Sequence, residues 1–290
     1  MRRAGVMNLP STSSPWQPLT FGGVAAFALG RTSQLCKVQL LVALGAALCL
    51  LWFFTSAWFP VLDAAMKNLP VQAEVRGGRL QWGGETPARL AGSSFLSVAV
   101  DLEARSTAAS AADVKVVLGA TSLRLESLLG HWSVRYPKGW VFYLSRSDMG
   151  PWWEARQPFL LMGILFGSML ALLIAWWLLA VAYGFLVKGA ARLLRREIRF
   201  GGCWRLGAAA LLPGAAVMSI VIVFYGLHRL PLPGLLLGLV VHVVIGWVYL
   251  LGAPLWLPRG QVASAAGANP FQPDAASPAG ADRARNPFHR

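Results

Sequence analysis

His242 is an ionisable side chain near the middle of a run, Gly234 to Leu257, that carries no Asp, Glu, Lys or Arg. An ionisable group at that depth in an apolar segment points to proton relay or ligand contact. No other apolar run of the chain supplies a charged partner, so a relay would lack a second station. The bland reading is a neutral imidazole hydrogen-bonded to a neighbouring helix, at Ser219 or Tyr225. Gly163-Ile-Leu-Phe-Gly167 sets two small residues four apart, the spacing that lets two helices approach closely. Packing within the chain is the expected use and dimerisation the rival. Gly167-Ser168 beside a histidine has the residue types of an intramembrane serine protease, but the flanking pattern of such a nucleophile is absent. Pro213-Gly214 lies inside another apolar run, where a helix break shapes a transport site or a simple kink. Arg192, Arg195, Arg196 and Arg199 crowd a short basic stretch suited to anionic lipid headgroups.

Elsewhere the chemistry thins out. His131, Asp101, Asp113, Glu126 and Asp148 are scattered, and nothing forms HExxH, GxSxG, a phosphate-cradling glycine loop or a zinc spacing. Cys36, Cys49 and Cys203 match no metal site and read as structural. No catalytic residue, metal or cofactor is implied, and an enzyme is not expected. Asn269-Pro-Phe271 and Asn286-Pro-Phe288 repeat near the C-terminus, in a Pro, Gly and Ala rich stretch without apolar period. A disordered tail is expected there, and a short docking motif is only the minority reading of the repeats.

The elements that must position these residues follow from hydropathy. The longest uncharged run, Phe159 to Val187, has no amphipathic period and exceeds the roughly 20 residues that cross a bilayer. With 56% hydrophobic and 13% charged residues, the 290-residue chain holds half the charge of a soluble domain, where about 25% is usual. Four spans are predicted: 38–59, 158–187, 206–227 and 234–257, the last two joined by the turn 228–233. Residues 1–37 precede them, with a short apolar stretch at 19–30 read as an interfacial helix or loose loop. Residues 188–205 form a basic loop and 258–290 the tail. The first span reads as an uncleaved anchor, because its apolar run is longer than the 7–15 residues usual in a signal peptide.

Residues 60–157 form the one sizeable hydrophilic segment. It alternates in extended fashion at 72–76 and 79–82 around Gly77-Gly78, at 95–102, 114–118, 122–126 and 140–144. Residues 104–112 read as a loop, and Trp152-Trp153 as an interfacial anchor. Six Lys or Arg crowd 188–205 and one occupies 228–233, so the positive-inside rule puts 188–205 and both termini in the cytoplasm. On that assignment nearly all of the +14 net charge lies inside, which excludes nucleic acid as the reason for the basic balance.

Leu69-Pro70, Gly77-Gly78-Arg79-Leu80 and Val98-Ala-Val-Asp101, in this order between an N-terminal span and a C-terminal block of spans, resemble a family of bacterial multi-span membrane proteins of unknown function, some named after maltodextrin utilisation. The family shows a Pro, a Gly-Lys-Leu-like turn and an Ile-Asp strand at these places. The resemblance covers roughly 60–257 and implies no activity, substrate or site residue. An Ala, Arg and Trp rich composition also points to a bacterial source.

The expectation is therefore an α-helical integral membrane protein with four transmembrane helices and one small β-rich extracytoplasmic domain. It is a multi-pass protein of the cell membrane. Its expected role is non-enzymatic: an envelope scaffold whose partners are the lipid bilayer and an envelope protein docking on residues 60–157. A small-solute transporter or its accessory subunit is the alternative, and an intramembrane enzyme stands third.

Overall fold

A computed structural model describes residues 17–103 and 111–257. The expectations for 1–16, for 104–110 and for the tail at 258–290 with its Asn-Pro-Phe repeats fall outside them. The helices are α1 (Phe21–Leu29), α2 (Thr32–Phe53), α3 (Phe59–Lys67), α4 (Arg146–Leu193), α5 (Phe200–Gly226) and α6 (Leu232–Gly252). A wide π turn (Phe54–Trp58) joins α2 to α3, and a 3-10 turn (Ala253–Trp256) follows α6. The strands are β1 (Ala73–Arg76), β2 (Arg79–Trp82), β3 (Ala88–Gly92), β4 (Leu96–Val100), β5 (Val114–Leu118), β6 (Ser122–Ser127), β7 (Gly130–Arg135) and β8 (Val141–Tyr143).

Four helices are long and apolar enough to cross a membrane: Thr32–Lys67, Arg146–Leu193, Phe200–Gly226 and Leu232–Trp256. The fold is thus a four-span helical protein with a small β region at one end. α5 lies at the centre, touching α1, α2, α4 and α6. Its stretch Leu206–Ala215 is buried throughout, and Ala208, Ala209 and Ala210 keep that side narrow. Inside the bundle the buried Gln39 of α2 accepts a hydrogen bond from Trp177 Nε1 of α4 at 3.0 Å.

Two of these candidate spans, Thr32–Lys67 and Arg146–Leu193, are much longer than a bilayer core requires. The 48 residues of α4 span about 72 Å at 1.5 Å per residue, more than twice a hydrocarbon core of about 30 Å. Its start is fixed by Ser145, whose hydroxyl accepts from Asp148 N–H at 3.3 Å. Pro151 and Pro158 lie within the helix rather than ending it. Trp153 is buried against Phe59 and donates its indole N–H to Asp63, so it braces α3, a role the sequence did not show. The π turn has a local cause. Pro60 has no N–H to give back to the preceding turn, and the backbone widens there. Thr55 and Ser56 hydroxyls meanwhile bond back to Trp52 O at 2.9 and 2.8 Å.

The β region holds two sheets, one of three strands in the order β2-β1-β8 and one of five in the order β3-β4-β5-β6-β7. All pairs are antiparallel except β4 with β5. Gly77 and Gly78 take φ of 60° and 78°, as the two-residue turn between β1 and β2 requires. Val61, Ala65 and Leu69 of the α3 region pack on Leu90, Leu96, Val98 and Val100 to form the domain core.

Of the two readings offered for 19–30, a helix or a loose loop, the structure has the helix. It is α1, capped by Thr20 Oγ1 and lodged in the bundle with Val24 and Phe27 fully buried. Arg205 closes its C-terminal end through Phe27 O at 3.2 Å and Ala28 O at 2.7 Å, where a cation also meets the negative end of the helix dipole.

Candidate functional site

One open feature of the β region surrounds β8. Trp140, Val141, Phe142 and Tyr143 are all exposed, and the Trp140 and Phe142 rings sit 5.4 Å apart. β8 pairs with β1 alone among the described residues, so its other edge presents unpaired N–H and C=O groups. Beside it lies an open cleft of about 520 Å³. Its floor is one cross-strand row, Gln81, Glu74 and Tyr143, and its wall is the start of α4 with Ser145 and Asp148. Glu74 is paired with Arg76 at 3.2 Å, and Asp148 accepts from the Ser145 hydroxyl. Both carboxylates are therefore held by neighbours, and the Ser145–Asp148 pair forms the N-terminal cap of α4. What this edge can do is hydrogen-bond an extended polypeptide and pack aromatic rings against it.

A second construction ties the β region to the spans. Tyr225, at the end of α5, donates its hydroxyl to Asp113 Oδ2 at 2.7 Å. Phe95 packs edge-on against Tyr225 and stacks on His228, with ring centroids 5.0 and 4.4 Å apart. Phe53 of α2 completes the aromatic cluster. Ser94 Oγ lies 3.2 Å from His228 Nδ1. With Trp153–Asp63 and the continuous α2–α3 rod, this gives a mount with three fixings. Deeper in the domain, burial pushes the Tyr136 phenol up to about 12, and Arg124 pulls slightly the other way. Its hydroxyl has no partner among the described residues.

The residues singled out from sequence do not converge. His242 has both ring nitrogens buried and unpartnered among the described residues. Ser219 bonds back to Ala215 O, and Tyr225 serves Asp113, so neither takes the role expected of it. Gly163 and Gly167 are exposed, and a Cβ built on either would meet nothing within 4 Å. The close helix approach is made instead at Gly214, where a Cβ would lie 2.6 Å from His242 O. Ser168 bonds back to Ile164 O. Arg192, Arg195 and Arg199 are exposed at the end of the bundle remote from the β region. Arg196 is committed to the carbonyls of Leu255 and Leu257. Asp101 is buried with Arg124 at 3.5 Å, a structural pair. Among the described residues no group of three His, Cys, Asp or Glu is placed to hold a metal.

The family-like residues are structural in the same way: Leu69 and Leu80 fill the domain core, and Gly77-Gly78 makes a turn. Sequence reasoning missed the Tyr225–Asp113 fixing and the strands β3 and β7. Only β7 left a legible trace, in the alternation of His131-Trp-Ser-Val-Arg135. Comparison with protein-family models, curated proteins and solved structures gives no match for this chain.

Proposed function

We propose that this membrane protein is a non-enzymatic envelope scaffold that holds a protein partner on its β region. One observation carries the reading: β8 is an exposed aromatic edge strand on a domain fixed to the spans at three places. A free, apolar edge is an aggregation hazard unless something pairs with it. A rigid mount favours binding, because little motion is lost on association. The orientation belongs to the same proposal. The described chain ends and the basic residues of 188–205 share the end of the bundle remote from the β region, and the positive-inside rule supports a cytoplasmic side there, with the β region outside.

The test is site-specific photo-crosslinking in native membranes, with the photoreactive residue at Trp140 or Tyr143 and, as a control, at Lys115 on the other sheet. A discrete protein adduct from the first two sites and none from the control is the expected result. Adducts to lipid alone, or none, would remove the proposal. A second reading, small-solute transport, rests on the unpartnered His242. Loss of solute uptake in His242→Gln at unchanged protein level would favour it.

A further inference from the structure

The far half of the five-stranded sheet is apolar on a face that the described chain leaves uncovered. The registers put Val116, Leu125 and Trp132 in one row, and Leu118, Leu123 and Val134 in the next. The same face of β4, through Val98 and Val100, is buried beneath α3. Towards β7 the cover thins: Leu125 is half-buried, and Trp132 is 65% exposed. The opposite face carries Lys115, Glu126 and His131 in one row, with Arg124 and Ser133 in another. An antiparallel sheet of this kind solvates its polar face and must place its apolar face against something.

The turn at its tip is apolar as well. Leu128 and Leu129 form the two-residue connection between Ser127 and Gly130, a position where Asn-Gly or Asp-Gly is usual. They are 64% and 77% exposed.

The depth of this tip can be read from its neighbours. Trp58, at the domain end of the first span, shares with Leu125, Leu129 and Trp132 a groove of about 450 Å³. Leu128 lines a hollow together with Leu232 and Pro233, the first residues of α6. The hairpin therefore hangs at the level where the spans begin, and its apolar surface is continuous with theirs. Tryptophan is the side chain favoured at that level, and an apolar edge typically enters the interface by about 5–10 Å.

We propose that the β6–β7 hairpin is a membrane foot. Leu128, Leu129 and Trp132 are seated in the leaflet on the domain side, and lipid chains fill the groove beside Trp58. The foot sets the height of the β region above the bilayer. It uses the sheet and strand opposite to β8, so it stands whether or not a protein partner binds there.

The test uses the full chain in phosphatidylcholine–phosphatidylglycerol nanodiscs. Cys36, Cys49 and Cys203 are replaced by alanine, and a nitroxide is placed on one new cysteine at Leu129, His131, Trp132 or Ser133. Collision with oxygen should exceed collision with an aqueous nickel chelate at 129 and 132, and the order should reverse at 131 and 133. A nickel preference at all four sites would overturn the proposal. So would protection of 129 and 132 from both reagents, which with dipolar broadening would identify a second copy as the cover. The unaltered protein offers an independent measurement that needs no cysteine. A diazirine-bearing phosphatidylcholine should label the tryptic peptide between Arg124 and Arg135, and labelling confined to the spans would overturn the proposal equally.

Discussion

Gly214→Ala is the sharpest test of the helix packing. The new methyl would sit 2.6 Å from His242 O and 3.7 Å from Gly246 N. The first distance is roughly 1 Å short of the separation at which such atoms attract. The carbonyl is backbone and cannot swing aside, so α5 and α6 must part. Overpacking of this kind costs about 1–3 kcal/mol. Alanine returns about 1 kcal/mol of helix propensity relative to glycine, so the single variant alone is ambiguous. Gly163→Ala gains the same propensity and meets nothing within 4 Å. The difference between the two variants therefore isolates the steric cost, and Gly214→Ala should be the less stable by about 1–3 kcal/mol. Reversible unfolding by dodecyl sulfate in mixed micelles, followed by circular dichroism, measures it. Equal stability, or a more stable Gly214→Ala, would refute the close crossing of α5 and α6 at this point.

Tyr225→Phe leaves the Asp113 carboxylate without its hydroxyl donor. A hydrogen bond to a charged group is worth about 1.5–3 kcal/mol, and the half-exposed Asp113 puts the effect at or below the lower end. The expected readout is faster hydrogen exchange in β4 and β5 with the spans unchanged; exchange at the wild-type rate would count against the fixing. Tyr136 gives a pH signature. Its phenol titrates near 12 in the folded chain and at its ordinary value near 10 unfolded, so the fold favours the neutral form. Its contribution is intact below pH 10 and is lost as the pH rises towards 12, because the unfolded chain releases the proton first. Tyr136→Phe should flatten that part of the stability profile and leave pH 7 unharmed, since the hydroxyl has no partner there among the described residues. An unchanged alkaline slope would contradict the assignment.

Hydropathy alone determined the four spans, because the cost of placing charge in lipid adds along the chain and needs no knowledge of neighbours. The same locality made β5, β6 and the Gly77-Gly78 turn legible: alternation and turn chemistry are written within a few residues. β7 escaped because Leu128-Leu129 has none of the residue types that mark a turn. The extension of α4 through Pro151 and Pro158 depends on Trp153 finding Asp63 and Phe59, which lie about ninety residues earlier. The burial of α1 depends on α5, whose Arg205 meets its last carbonyls, and the confinement of Arg196 on Leu255 and Leu257. Gly163, Gly167 and Gly214 are the same residue in similar apolar company. Only the third faces another backbone. What lies opposite a side chain is a property of distant segments brought together. That is why the positions of spans were written locally, while the roles of their glycines, arginines and histidine were decided by the tertiary structure.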